Sequence, residues 1–194
     1  IRNSEQVTLL DVDSGQDFNR TVMTFVGPPE FIVEAAVEAA IKAVQLIDMT
    51  KHKGEHARMG AVDVVPFIPL SGVGIQDCVN LSIEFADKFS KETGIPTYLY
   101  AESARIKERK LLPNIRKGEY EGLENKLLDP EWLPDFGTSN FIGKSGATAT
   151  GARQILIAYN INLNTSDKSL ANIIAGKIRT SGVLMKDSKG EKII

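Results

Sequence analysis

The chain of 194 residues contains a single cysteine, Cys78, and therefore cannot form an internal disulfide. This excludes the small disulfide-stapled domains of secreted proteins and favours a reducing compartment such as the cytoplasm. Cross-links are also unnecessary, because a chain of this length buries enough apolar surface to fold around an ordinary core. We therefore expect a cytoplasmic globular protein.

Long hydrophobic runs are absent as well. The longest apolar stretch, residues 31–47, is interrupted at every helical turn by a charged or amide side chain, whereas a membrane span needs roughly 18 apolar residues in a row. The opening residues show no signal-peptide pattern. A formal net charge of −2 lacks the basic excess of general nucleic-acid binders. We expect neither a membrane nor a nucleic acid as a partner.

The hydrophobic periodicity predicts strands separated by helices. The predicted strands cover residues 7–12, 20–26, 61–69, 96–100 and 155–163. The predicted helices cover residues 29–48, 74–93 and 165–182, and Thr165 or Ser166 caps the last one. Residues 137–152 are rich in glycine, serine and threonine, which is typical of a loop. This order predicts an α/β sandwich of the α+β class, with helices layered on a mixed β-sheet of roughly four to six strands.

Both histidines of the chain lie in one polar segment, His52-Lys53-Gly54-Glu55-His56. The spacing matches the H-x-x-E-H pattern of inverted zinc peptidases, in which a helix places both histidines on one face and the glutamate is the general base. Gly54 disfavours a helix, and the chain has no third histidine. A second interpretation needs no metal: one histidine near a carboxylate such as Asp13 acts as general acid and base. In a third, both histidines lie on an ordinary surface loop.

A second candidate site is the run of small residues from Gly137 to Gly146. Such residues let a ligand approach the main chain, whose free N–H groups bind an anion or the polar edge of a heterocycle. Gly143-Lys144-Ser145 matches the end of a phosphate-binding loop, but Thr138 stands where that motif has its first glycine. This disfavours a nucleotide site, while a plain flexible loop remains an alternative.

Several short blocks, in consistent order between about residues 7 and 181, together resemble the glutamate formiminotransferase family. They include LLDVD (9–13), NRTV (19–22), HKGEHARMGA (52–61), RKGEYE (116–121), PDFG (134–137) and GATATGAR (146–153). The resemblance implies transfer of a formimino group from N-formimino-L-glutamate to N5 of tetrahydrofolate, the co-substrate, with release of glutamate. It also implies a homodimer and two ferredoxin-like α/β halves. Residues 1–160 would form the N-terminal subdomain, and residues 161–194 the start of a truncated C-terminal one.

The same resemblance implies roles for individual residues. His56 matches the family's catalytic histidine, a general base and acid, while Asp13 and Arg20 match polar positions near the active site. The family's folate-binding loop matches Gly137, Thr138, Ser139, Asn140, Phe141, Ile142, Gly143, Lys144, Ser145 and Gly146. We further predict that Asp13 holds the tautomer of the His56 ring. Charge complementarity predicts that glutamate carboxylates are held by Arg20, Arg58 or Arg153.

Other functions stay open at the level of sequence. One is a non-catalytic folate-binding or assembly fragment, and another is the zinc metallopeptidase suggested by the two histidines. Transfer of a formyl group between 5-formyltetrahydrofolate and glutamate would use the same geometry as formimino transfer.

Overall fold

The computed structural model describes residues 6–157, 161–178, 185–186 and 192–193. The chain divides into two compact units, Ile1–Ile155 and Leu156–Ile194. Among the described residues, no helix combines the length and the apolar character needed to cross a bilayer.

The first unit contains a parallel sheet of three strands, β3 (Val64–Phe67), β4 (Thr97–Leu99) and β5 (Thr148–Ala152). The order across the sheet is β3-β5-β4, so its last strand in sequence lies in the middle. All residues of β5 are small and buried. A Cβ atom at Gly151 would lie 2.1 Å from the carbonyl oxygen of Tyr100, so this close approach requires glycine.

Outside that sheet, β1 (Thr8–Gly15) and β2 (Arg20–Val26) form an antiparallel hairpin with a bulge at Leu10. Phe25 packs against the core of the unit, but most of the other hairpin side chains are exposed. The hairpin is therefore anchored by its base and by its turn, which contacts the site described below.

Two long helices cover one face of the sheet. Helix α1 (Pro29–Leu46) begins with proline, which suits the first turn because N–H groups there have no partner within the helix. At the start of α2 (Ile75–Thr93), the main-chain N–H of Gly74 donates to the Asp77 carboxylate over 2.7 Å; the helix ends at Gly94, whose φ is +72°. Their buried residues form one hydrophobic cluster, which includes Val37, the stacked rings of Phe85 and Phe89, and Phe67 of β3.

Short helices cover the other face. They are α3 (Leu112–Arg116) and α4 (Leu123–Leu127), and they pack with Tyr98 and Ala149 in a second hydrophobic cluster. Val64 packs with this cluster, whereas Val65 packs with the first. Because successive strand residues point to opposite faces, the two clusters lie on the two sides of the sheet.

In the second unit, α5 (Lys168–Ile178) starts at Asp167, whose carboxylate accepts the main-chain N–H of Ser169 over 2.8 Å. Two short strands, β6 (Met185–Lys186) and β7 (Lys192–Ile193), pair antiparallel. The prediction that Thr165 or Ser166 caps the last helix is therefore wrong, since Asp167 takes that position. The predicted helix end near Gly182 lies outside the described residues.

The predicted mixed α/β fold, with helices layered on a sheet, is confirmed. Of the first four predicted strands, the second has its predicted bounds and the other three are present with shifted bounds. The predicted strand at residues 155–163 is wrong, because its described residues 155–157 and 161–163 have no regular structure. The strand lies instead at Thr148–Ala152, inside the stretch that composition assigned to a loop. Small residues are required there by the crowded centre of the sheet. The boundary between residues 1–160 and 161–194 and the ferredoxin-like topology stay predictions.

Candidate active site

The segment with both histidines follows α1 without being helical. The Asp48 carboxylate accepts the main-chain N–H of Thr50 over 3.1 Å and caps a single 3-10 turn, Met49–Lys51. That turn ends at His52, and residues 52–56 have no helical structure. The zinc-peptidase interpretation requires a helix here. The described part of the chain also contains no group of three or more His, Cys, Asp or Glu side chains that could hold a metal ion.

The turn of the β1–β2 hairpin packs directly on this segment. The Asn19 side-chain amide donates to the carbonyl oxygen of Lys53 over 2.9 Å, and the N–H of Glu55 donates to the carbonyl of Asp17 over 3.2 Å. A Cβ atom at Gly54 would lie only 2.3 Å from the carbonyl oxygen of Phe18. Glycine in the middle of the motif therefore permits the hairpin turn to dock.

His52 is held at both ring nitrogens. Its Nε2 lies 2.7 Å from the carbonyl oxygen of Asn19, and its Nδ1 lies 3.4 Å from Nε of Arg58. A carbonyl only accepts and the Arg58 Nε–H only donates, so the ring is the neutral tautomer with hydrogen on Nε2. Both ring nitrogens of His52 thus have partners within the protein, which leaves neither of them open to a substrate in this arrangement.

His56 has the opposite arrangement. Its Nδ1 lies 2.7 Å from the carbonyl oxygen of Ala57, so Nδ1 carries the hydrogen in the neutral ring and Nε2 keeps a lone pair. No hydrogen-bond partner for Nε2 occurs within the described residues. The half-buried ring meets Phe18 edge-on, with 5.8 Å between ring centroids, and the Arg20 guanidinium carbon lies 5.6 Å from the centroid of the same phenyl ring. The structure thus places Arg20 and His56 around Phe18.

Asp13 lies on the exposed part of β1. The register pairs Asp13 with Val22 and Gly15 with Arg20, which places Asp13 and Arg20 on the same face of the hairpin. In the described structure no hydrogen bond joins Asp13 to His56, and the carbonyl of Ala57 holds the tautomer instead. The predicted tautomer role is therefore taken by the main chain, while a role for Asp13 near a substrate stays a prediction.

A pocket of about 500 Å³ is lined by Lys53, Gly54, Arg58, Gly118, Glu119 and Glu121, so residues of the histidine segment line it but neither histidine does. Arg58 donates to Glu121 over 2.6 Å and 2.8 Å and to Glu119 over 3.1 Å. The hydrogen bonds from Arg58 lower the pKa of Glu121 to about 2. The same contacts raise the pKa of Arg58. Arg58 is thus already paired, unlike Lys53, which has no ion-pair partner among the described residues.

Arg153 lies at the end of the central strand. Its guanidinium donates to the carbonyl oxygen of Gln154 over 3.0 Å and contacts Tyr100. No contact in the described part of the chain joins it to His56. Of the arginines predicted to hold glutamate carboxylates, only Arg20 is therefore near His56 and without an ion pair among the described residues.

The loop from Gly137 to Gly146 is fixed at both ends. At its start, the N–H of Thr138 donates to the carbonyl of Gly94, and Gly137 (φ +83°) approaches Ile95 so closely that a Cβ would lie 2.2 Å from its carbonyl oxygen. At its end, the carbonyls of Lys144 and Ser145 accept the N–H groups of Met49 and Ala61, both over 2.9 Å. The loop is therefore an ordered element that is bonded to residues on both sides of the histidine segment.

Side chains of this loop divide into two sets. Ser145 and Gly146 are buried, while Phe141 and Ile142 pack against the hydrophobic clusters. The exposed positions are Gly137, Ser139, Asn140 and Lys144, with Thr138 and Gly143 half-buried. No direct contact between this loop and His56 occurs among the described residues. Both the loop and the segment that bears His56 contact Tyr120. The sequence analysis did not assign Tyr120 to the site, although the RKGEYE block that contains it is part of the resemblance.

The chain has a mixed α/β fold, and one segment of it contributes both residues that line a charged pocket and a histidine whose Nε2 has no hydrogen-bond partner among the described residues. The chain belongs to the formiminotransferase family: residues 1–153 match the family described as "Formiminotransferase domain, N-terminal subdomain".

The names of similar proteins agree with this family. The chain is 55% identical over 175 residues to the formimidoyltransferase-cyclodeaminase of Gallus gallus, a match covering 90% of this chain and 32% of the relative. It is 47% identical over 176 residues to the glutamate formimidoyltransferase of Streptococcus pyogenes serotype M1, covering 91% of this chain and 59% of the relative. The enzyme of that name from Thermoplasma acidophilum is 43% identical over 181 residues, with 92% and 59% covered. The chain thus spans between about a third and three fifths of these relatives' lengths.

Proposed function

We propose that the protein transfers a formimino group from N-formimino-L-glutamate to N5 of tetrahydrofolate, with His56 as the general base and acid. The observation that carries this proposal is the arrangement of the His56 ring, in which Nδ1–H faces the carbonyl of Ala57 and Nε2 is left with a lone pair. The family match and the names of the relatives support the reaction class.

The proposed reaction needs one proton to be moved. A bond forms between N5 of tetrahydrofolate and the amidine carbon of the donor, and the bond from that carbon to the glutamate nitrogen breaks. N5 loses a proton and the departing nitrogen gains one. Nε2 of His56 accepts the proton from N5 and delivers it to the departing glutamate nitrogen. The Ala57 carbonyl keeps the ring oriented in both steps.

Charged groups around His56 suit a donor with two carboxylates. Arg20, beside the same phenyl ring as His56, and Lys53, on the wall of the pocket, make no ion pair among the described residues and are proposed to bind these carboxylates. Asp13, on the hairpin face of Arg20, is proposed to contact the amidine end. Arg58 is excluded from this role because Glu119 and Glu121 already hold it.

Tetrahydrofolate is proposed as a co-substrate that lies along the exposed positions of the 137–146 loop, including Ser139, Asn140 and Lys144. Their hydroxyl, amide and ammonium groups match the polar edge and the carboxylates of a folate. The working protein is proposed to be a cytoplasmic homodimer in which residues 1–160 form the N-terminal subdomain.

The test uses the full-length protein with His56→Asn. We expect a 10²- to 10⁴-fold loss of kcat, the usual contribution of a general acid–base group. The matched control is Glu55→Gln, an exposed carboxylate of the same segment that would be the general base only in the zinc-peptidase interpretation. Turnover is measured with the formimino and the formyl donors. Normal turnover by His56→Asn overturns the proposed base, and tight folate binding without turnover by the wild type identifies a non-catalytic folate-binding protein.

A further inference from the structure

The RKGEYE block at residues 116–121 has no part in the proposed reaction. It forms a tight turn between α3 and α4, in which Gly118 and Glu119 both have positive φ, +89° and +53°. Glutamate rarely adopts this conformation, so surrounding contacts must hold it there. Such a turn is a fixed structural element.

On one side, the block holds the chain that follows His56. The N–H of Tyr120 donates to the carbonyl of Arg58 over 2.9 Å, and the Arg58 guanidinium carbon lies 5.9 Å from the centroid of the Tyr120 ring. Arg116 pairs with Asp63, whose other oxygen accepts the N–H of Met59 over 2.9 Å. Together with the ion pairs of Glu119 and Glu121, these contacts fix residues 58–63.

On the other side, Tyr120 holds the loop. Its hydroxyl donates to the carbonyl oxygen of Gly143 over 2.6 Å, and its ring packs against Phe141 with 5.6 Å between centroids. Burial raises the pKa of the Tyr120 phenol, so the group keeps its proton and remains a donor. Gly143 lies near the 3-10 turn that precedes the histidine segment, since a Cβ there would lie 3.9 Å from the methyl of Thr50.

We propose that Tyr120 is a positioning residue that sets the place of the 137–146 loop relative to the segment bearing His56. This rests on the proposed function, in which the loop binds folate and His56 moves the proton. Tyr120 contacts neither reacting group. Its main-chain N–H bonds the carbonyl of Arg58 and its hydroxyl bonds the carbonyl of Gly143, so the hydroxyl holds the loop, and with it the proposed folate site, against the chain that follows His56.

The structure provides a matched control for the loss of this hydroxyl. Tyr98 also donates to a main-chain carbonyl, that of Trp132, over 2.7 Å, and among the described residues its hydroxyl makes no hydrogen bond to the loop or to the histidine segment. Tyr120→Phe and Tyr98→Phe each remove one hydrogen bond of the same kind and keep the ring. Any general loss of stability is therefore present in both variants.

The experiment compares both variants with the wild type in the full-length protein. For Tyr120→Phe we expect about a fivefold rise in KM for tetrahydrofolate, the effect expected for the loss of one hydrogen bond. The KM for formiminoglutamate and the pH profile of kcat should not change. Amide hydrogen exchange at Ser145 and Gly146, beside the lost contact, should be about fivefold faster. Tyr98→Phe should show neither effect.

Each outcome decides the question. Unchanged exchange in the loop of Tyr120→Phe, or faster exchange with an unchanged KM for tetrahydrofolate, overturns the positioning role. Equal effects of the two substitutions show a general loss of stability and also overturn it. If the wild type turns over neither donor, the proposed reaction fails, and the exchange rates alone then decide whether Tyr120 orders the loop.

Discussion

The histidine segment (residues 52–58) and the 137–146 loop are both ordered without regular secondary structure, but different contacts hold them. Side chains hold much of the histidine segment: Asn19 bonds the main chain of Lys53, and Glu119 and Glu121 hold Arg58. The loop is held largely by main-chain hydrogen bonds and by glycines that approach neighbouring carbonyls. The histidine segment should therefore respond to changes in charge, and either region should respond to an added Cβ atom wherever a glycine lies against a carbonyl oxygen.

The largest effect is expected where the loop rejoins the sheet. Gly146 has φ +68°, and a Cβ there would lie 2.2 Å from the carbonyl oxygen of Met59. Gly146→Ala should lower the free energy of unfolding by about 3 kcal/mol or more, because strain and steric overlap add. Gly72 is the control: its φ is +75° but a Cβ would meet nothing within 4 Å. Gly72→Ala should cost only about 1 to 2 kcal/mol in denaturant unfolding, and equal losses would contradict the steric explanation.

An intermediate effect is expected in the histidine segment. Gly54→Ala places a Cβ against the carbonyl of Phe18 and should displace the hairpin turn, at a cost of about 1 to 2 kcal/mol because a surface turn can shift. Gly143→Ala is the matched change in the loop, where a Cβ would make only ordinary contacts at 3.7 to 3.9 Å. It should change the unfolding free energy by less than about 1 kcal/mol. If thermal unfolding showed Gly143→Ala to be the more damaging, the close approach of Gly54 to Phe18 would not be what makes the histidine segment sensitive to an added Cβ.

The smallest effect is expected on the dependence of stability on pH. Because Arg58 lowers the pKa of Glu121 to about 2, the carboxylate contributes stability above its ordinary pKa of 4.5, and this contribution is lost as the pH falls towards 2. Unfolding midpoints of the wild type and Glu121→Gln should therefore differ more at pH 7 than at pH 3. Glu38→Gln, at an exposed position with no ion pair among the described residues, is the control. A difference independent of pH would show that Glu121 acts through something other than its charge.

Hydrophobic periodicity was sufficient to predict the elements that bury large apolar side chains. The hairpin, α1 and α2 were predicted close to their observed bounds, because their apolar residues recur at the spacing of a strand or a helix. The central strand β5 was missed, since close main-chain contacts select small residues there and remove the hydrophobic signal. Sequence patterns predict which side chains are buried better than they predict where two main-chain segments approach each other closely.

For the candidate site, the resemblance predicts roles for His56 and the loop, but it does not show what holds them in place. Which ring nitrogen is free depends on the carbonyl of Ala57, and a main-chain atom leaves no trace in residue types. The pairing of Arg58 with Glu119 and Glu121 joins positions that are 61 and 63 residues apart. Charge complementarity alone assigned this arginine to a substrate. Only the folded chain shows that its partners are within the protein.

The position of β5 has a consequence for how the chain reaches its native state. The strand is the last of its sheet to leave the ribosome, yet it pairs with both β3 and β4. Until residues 148–152 emerge, the two earlier strands have no partner in this sheet, and their unpaired edges are open to association with other chains. The sheet therefore closes late, through contacts distant in sequence, which makes its formation slow compared with that of α1 and α2.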